Sequence, residues 1–509
     1  MRPAVFQSHQ AFLQQIQPLS QRHVLRRDGP RAFHLYRQVE AIVRCANLDF
    51  LAAILVRLYA LCGRPARDPI PLLRSLMVMC HCGESSITEW VYRLAREPVL
   101  ARLCGLDPDQ LPGVANYYDL FHRIGMTPRT HSVVMRALQR PKGCKKGKKA
   151  PPRRPGAVGR VLRRLRRHPP RPPFPLWQVI FTHIVRQSAQ RGLLGTETRW
   201  ALALDGSPLP SGGNGRGHRV CGCRKQDPCT HRFKRYTDPG ARIGWDSYRN
   251  RPFYGRHLSA LIATGGGHDL PAYLRLFQGN RHDSVAGAVA FVEAEQLYPE
   301  GFARLVADSA LDALPFYVYL DERGTDAVID LNEREIDGEP PPPKPRRRFP
   351  RTDRRPRQRA RGDHRPLAVR EGIALDLQGH ARCRAGHLLI RRGSSHHGLY
   401  TQWRCPLADH PELECAHPCF YRTHAASLPR DPRLQTRIRR GTPEWEAALD
   451  TRTAAERAFS HLKLALGLER GRHRSDGAWI AHTLLAAITM HLQAWAGVLD
   501  PAFARTSTA

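Results

Sequence analysis

Asp205, Asp308 and Glu456 are the residues of this chain best suited to chemistry. Each has a local setting that could hold a carboxylate in place. Asp205 closes the alternating run from Trp200 and Asp308 closes a second from Phe302, so both are expected at strand ends. Glu456 lies in a helical run from Arg452 to Lys463. At 100° per residue, Arg452, Glu456 and Lys463 fall within roughly 40° of one another, beside an apolar stripe of Ala455, Ala458, Leu462 and Leu466. Carboxylates are hard oxygen donors for divalent cations. A pair of such cations about 3.5–4 Å apart can clamp the attacking and leaving oxygens of a phosphodiester. Taken singly, each acid also reads as an ordinary surface carboxylate, and Arg452 with Glu456 as an i,i+4 ion pair. The ordered set in suitable settings favours the metal reading.

The elements needed to position these acids are legible on either side of them. Arg256–Thr264, the glycine turn Gly265–Gly267 and Leu270–Phe277 read as paired strands, and the run from Ser284 reads as a helix. Strand, hairpin, helix, strand and helix is the order of a ribonuclease-H-like α/β core with a mixed sheet. The stretch between Asp308 and Glu456 is far too long for a loop and is expected to hold an inserted, partly β subdomain. His282 and Asp283 are expected to cap the following helix rather than to take part in catalysis. Asp312 is expected to leave the chemistry intact if replaced.

The spacing Arg452-x3-Glu456-x6-Lys463 resembles the catalytic signature of DDE transposases of bacterial insertion sequences, of the IS4-like/IS1182-like kind. Their third acid lies in a Tyr-x2-Arg-x3-Glu-x6-Lys pattern, in which Leu449 here replaces the tyrosine. Pro252–His257 and Gly279–Asp283 also match recurrent phrases of these transposases, as do Arg102–Leu106 and Phe121–Arg123 in their helical N-terminal part. The resemblance implies metal-dependent cleavage at transposon ends and strand transfer into target DNA. It implies two Mg²⁺ or Mn²⁺ ions bridged by Asp205, with Asp308 and Glu456 each completing a site and Arg452 and Lys463 holding DNA phosphates. The implied partners are terminal inverted repeats, target DNA and further copies of the chain in a synaptic complex. Two other readings stay open: a catalytically inactive or domesticated zinc-bearing DNA-binding protein, and a ribonuclease-H-like nuclease without strand transfer.

Composition supports a nucleic-acid partner. The 509 residues carry 80 Lys and Arg against 45 Asp and Glu, a formal net charge of +35. An excess of that size points to an anionic polymer, because each neutralised phosphate releases counterions. No run approaches the ~20 apolar residues of a membrane span, and no secretory signal is apparent, so a cytoplasmic protein without membrane partners is expected.

The expected organisation is a helical part at 1–139 for DNA-end binding or dimerisation, a basic proline-rich linker at 140–175 and the first part of the catalytic core at 176–338. An insertion at 339–440 and a C-terminal helical part of the core at 441–509 complete the chain. Thirteen cysteines in a cytosolic chain read as thiols and metal ligands rather than disulfides. Cys383, Cys405, Cys415 and Cys419, with His417 as a substitute fourth ligand, are a candidate structural zinc site in the insertion. Cys221, Cys223, Cys229 and His231 are a second candidate, and unconnected thiols are the alternative for both. Cys80, His81 and Cys82 read as core packing.

Overall fold

The computed structural model describes residues 6–20, 29–59, 62, 66–125, 156–168, 175–213, 215–219, 234–332, 373–376, 378–383, 385–395, 400–410, 412, 414–415 and 426–499. A six-stranded sheet organises them. Its strands are β1 (Trp200–Pro210), β2 (Arg242–Asp246), β3 (Arg251–Ala263), β4 (Pro271–Gln278), β5 (Phe302–Ala307) and β6 (Asp326–Ile329). β3 is antiparallel to β1, β2 and β4, whereas β5 runs parallel to β1 and β6 parallel to β5, giving the order β4-β3-β1-β5-β6 with β2 also paired to β3. The mixed sheet is compatible with a ribonuclease-H-like transposase core.

Burial on both faces explains the composition of these strands. Leu258, Ala260, Leu261, Ile262 and Ala263 of β3 are all buried, the near-continuous apolar run of a doubly covered strand rather than an alternating one. Helix α3 (Asp283–Leu297) packs on β1, β3 and β4 and buries every residue from Val285 to Ala294. It therefore has no wide polar face. The expectation that β1 stops at Asp205 is corrected: the strand continues to Pro210, pairing Gly206–Pro210 with Ser259–Gly255 of β3.

The N-terminal helices do not form a separate core. Helix α1 (Pro69–His81) and helix α2 (Pro175–Gln190) both pack on the C-terminal helix α5 (Asp476–Leu499), and one hydrophobic cluster runs from Phe12 through the sheet to Ala496. Cys80 lies in this cluster. Some buried polar groups there find partners: His491 contacts Ser188 Oγ at 2.7 Å through Nδ1 and the Pro271 carbonyl at 3.0 Å through Nε2. Trp495 Nε1 donates to the same Ser188 hydroxyl at 2.7 Å. Such satisfied contacts are what a polar group in a core requires.

The insertion has a smaller core of its own, centred on Ile373, Leu389, Trp403 and Leu428. Its three-stranded antiparallel sheet consists of β7 (Ile390–Ser395), β8 (Tyr400–Arg404) and β9 (Ala426–Pro429). Arg433 fastens it to the sheet layer through a bidentate pair with the fully buried side chain of Asp312, whose Oδ2 also accepts the Asn332 N–H at 2.8 Å.

Within the expected helical part, Asp49–Leu51, Ala52–Leu55 and Val56–Leu58 are short helical pieces rather than one long helix. The expected single helix from Arg452 to Lys463 changes its hydrogen bonding partway. Helix α4 (Thr453–Ser460) is α-helical, and His461–Ala465 is a π turn closed by the Leu466 N–H donating to the His461 carbonyl at 3.0 Å. Insertions of this kind recur at functional sites.

Candidate active site

The parallel pairing of β1 with β5 brings the first two acids together. Leu204 is in register with Ala307, so the next residue of each strand, Asp205 and Asp308, stands at the same level of the sheet. Asp308 leaves β5 there and caps the short turn Ser309–Leu311, its Oδ1 accepting the Ala310 N–H at 3.1 Å. Asp205 remains in its strand, and its Oδ1 accepts the Gly206 N–H at 2.7 Å. Burial raises the Asp205 pKa to about 7, helped by the charges of Asp308 and Asp283 and opposed by the Gly206 N–H and Arg452. Burial also raises that of Asp308, again with a contribution from Asp283 and against Arg452.

The third acid is carried by α4, which packs on β1 and β3. Glu456 is 54% exposed, and its Oε1 lies 2.9 Å from Nη1 of Arg452. Arg452 is thus the counter-charge common to all three acids. Among the described residues, no three His, Cys, Asp or Glu side chains are grouped closely enough in this arrangement to hold a metal ion. Glu456 would have to exchange Arg452 for the ion.

Lys463 lies within the π turn, so the shared helix face expected for Arg452, Glu456 and Lys463 does not extend unbroken to the lysine. Burial lowers its pKa, while Glu469, Asp246 and Asp205 support its charge. Leu449, at the tyrosine position of the signature, packs against the cluster of Val306, Val328, Ile438, Trp445 and Ala448. An apolar side chain suits that surface, and its carbonyl accepts the Arg452 N–H at 2.9 Å.

Asp283 is the acid that sequence reasoning does not single out for the site. His282 does cap α3, its Nδ1 accepting the Ser284 N–H at 3.3 Å, which frees Asp283 from that role. The Asp283 carboxylate lies 2.6 Å from His257 Nε2 and is electrostatically coupled to Asp205 and Asp308. Burial works against its charge, but His257 outweighs it and holds the Asp283 pKa below the usual value. The available signal was Gly206, a residue without Cβ in mid-strand beside an acid, which marks a close approach.

Of the cysteines, Cys405 is buried in the small core of the insertion and Cys383 packs against it, while Cys415 is described and partly exposed. Cys419 and His417 lie outside the described residues, as do Cys221, Cys223, Cys229 and His231.

The described side chains around Asp205 are of the chemical kind a divalent cation takes, although they do not stand close enough together here to enclose one. Asp205 and Asp308 are partly buried, electrostatically coupled hard-oxygen donors, and Arg452 compensates the charge of both. A mixed sheet that sets two aspartates level on neighbouring parallel strands, with a glutamate on a helix packed beside them, is compatible with the metal-using core of transposases. The family model of the transposase DDE domain matches residues 196–490, more than half of the chain, and the protein belongs to that family. No curated protein matches the chain. No helix among the described residues is long and apolar enough to cross a membrane.

Proposed function

We propose that this transposase cuts phosphodiester bonds at the ends of an insertion sequence and joins the freed ends to target DNA. The observation that carries the reading is the level placement of Asp205 and Asp308, with Arg452 as counter-charge to both. Mg²⁺ or Mn²⁺ would be held by Asp205, Asp308 and Glu456, and when bound would supply Lewis acidity and activate water near neutral pH. The work of the chain is to hold its carboxylates aimed. Gly206 orients Asp205, the Ser309–Leu311 turn orients Asp308, and Arg452 releases Glu456 as it takes up a DNA phosphate. Lys463 presents a second cation to the same strand.

In the first step a water oxygen bonds to phosphorus, the bond to the 3′ oxygen breaks, and a 3′-hydroxyl is released. In the second that hydroxyl attacks a target phosphodiester, forming one phosphorus–oxygen bond and breaking another. The expected partners are the terminal inverted repeats, target DNA and further copies of the chain, in the cytoplasm. The cysteine clusters of the insertion and of the segment after β1 are proposed structural zinc sites, separate from the reaction.

The reading is tested by Mg²⁺- or Mn²⁺-dependent cleavage and joining of DNA that carries the flanking inverted repeats. Asp205→Ala, Asp308→Ala and Glu456→Ala are each expected to lower the rate by at least about a thousandfold. Exposed Glu446→Ala is expected to match the wild type. Joining retained by any of the three active-site variants would remove that residue from the site.

A further inference from the structure

Glycine at 206 is dictated by what lies against it. A Cβ there would collide with both the His257 ring and the Asp283 carboxylate. Gly206 is registered with Ser259 and its neighbour Pro208 with His257, so Gly206 and His257 share a sheet face, whereas Asp205 sits on the other. The peptide that donates to Asp205 Oδ1 is therefore backed, on the far side of the strand, by the His257–Asp283 pair.

The contact between them is enclosed, although the Asp283 side chain as a whole is 37% exposed. The His257 side chain is only 10% exposed, its Nε2 is aimed at Asp283 Oδ1, and among the described residues neither atom has a hydrogen-bond partner beyond that contact. A carboxylate that presses one oxygen into an enclosed histidine contact, against a glycine where a Cβ would not fit, and adds negative charge to the field at two other aspartates does more than start a helix. A helix-starting serine or asparagine would satisfy the fold at lower cost.

We propose that Asp283, clamped by His257, is a fourth acidic member of the site, which strengthens its hold on a divalent cation and seats the Asp205–Gly206 peptide. This rests on the transposase reading above. In it Asp283 acts as a positioning residue and a source of field, through Asp205 and Asp308.

The test uses the full chain and Mn²⁺ alone, with free ion followed by electron paramagnetic resonance. Asp283→Asn keeps the shape and removes the charge; Mn²⁺ affinity is expected to fall about tenfold. Asp283→Glu restores the charge and is expected to recover much of that loss, which a purely structural role would not predict. His257→Phe is expected to behave like Asp283→Asn. DNA cleavage by Asp283→Asn should fall with little change in the affinity for end DNA. If Asp283→Asn binds Mn²⁺ as the wild type does while Asp205→Asn and Asp308→Asn lose it, the inference fails and the transposase site stands. If all three bind as the wild type does, the site assignment itself fails. Should Asp283→Asn melt early, equal loss of Mn²⁺ binding in Asp283→Glu would overturn the proposal.

Discussion

Asp205 carries a cost that depends on pH. Its carboxyl titrates at about 7 in the folded chain against 3.8 for an unperturbed aspartate, so the folded state favours the neutral acid. A group raised in this way contributes stability that is full below about pH 4 and is lost as pH rises through about 7. In a chelating buffer the wild type should therefore lose stability between pH 5 and pH 8. Asp205→Asn should show a shallower decline and gain on the order of 2 kcal/mol at pH 8. Thermal melts across that range check this, and identical slopes for the two proteins would remove Asp205 as the source. The length of β1 was misjudged, since it runs on past Asp205 to Pro210, but the strand end before Asp308 was legible because an acid after an alternating apolar run often closes a strand. Asp283 was not, because a His-Asp pair before a helix looks the same whether it caps the helix or faces a site. Only the register of β1 with β3 tells the two apart. The partner of Glu456 was legible as an i,i+4 pairing, though not that Arg452 would also face both aspartates.

At the scale of elements, the turn after α4 decides where Lys463 points. Periodicity could not show the π turn, since it occupies the last residues of the run, where too little of the apolar pattern remains to reveal a change of phase. The turn ends at Gly467, which has φ 74°, and a Cβ there would come within 2.8 Å of the Gly83 carbonyl just after α1. Gly83 is itself left-handed at φ 65°, and a Cβ on it would lie 2.9 Å from the Ala465 carbonyl. The two glycines let backbone meet backbone between the helical part and the catalytic helix. Gly467→Ala is expected to cost roughly 1–3 kcal/mol. Gly192→Ala, at φ 73° with open space around it, isolates the conformational part and should cost about 1 kcal/mol. Denaturant melts of the two variants separate contact from conformation, and equal losses would discount the contact. The strands were legible because β3 and β4 are joined by a glycine turn; the length of β1 was not, because Pro208 and Pro210 obscure it.

Over the whole molecule, the insertion is tied to the sheet layer by side chains distant in sequence. Arg433 closes on Asp312, and Arg430 lies 2.9 Å from Asp321. Asp312 follows Asp308 by four residues, and sequence position alone made it look like a bystander. Burial and pairing make it an anchor. Asp312→Ala should cost about 3–5 kcal/mol by leaving Arg433 buried without its partner. Limited proteolysis should then show earlier cutting in the insertion. A protein that melts and resists protease like the wild type would mean that other contacts hold the insertion. Composition announced a polyanion as partner, but neither charge nor spacing could announce which distant arginine would reach Asp312.

One consequence of the common core concerns how such a protein can be divided. The family match starts at 196, yet Ser188, which satisfies both His491 and Trp495, lies before it, and so does α1, whose Met77 carbonyl accepts from Thr489 at 3.2 Å. A fragment cut at the edge of recognisable kinship would bare the flank of α5 and orphan polar groups in its interior. Kinship and foldability thus draw their borders at different residues, and anyone grafting this catalytic unit onto another end-reading module must carry the helices at 30–125 and 175–190 along with it.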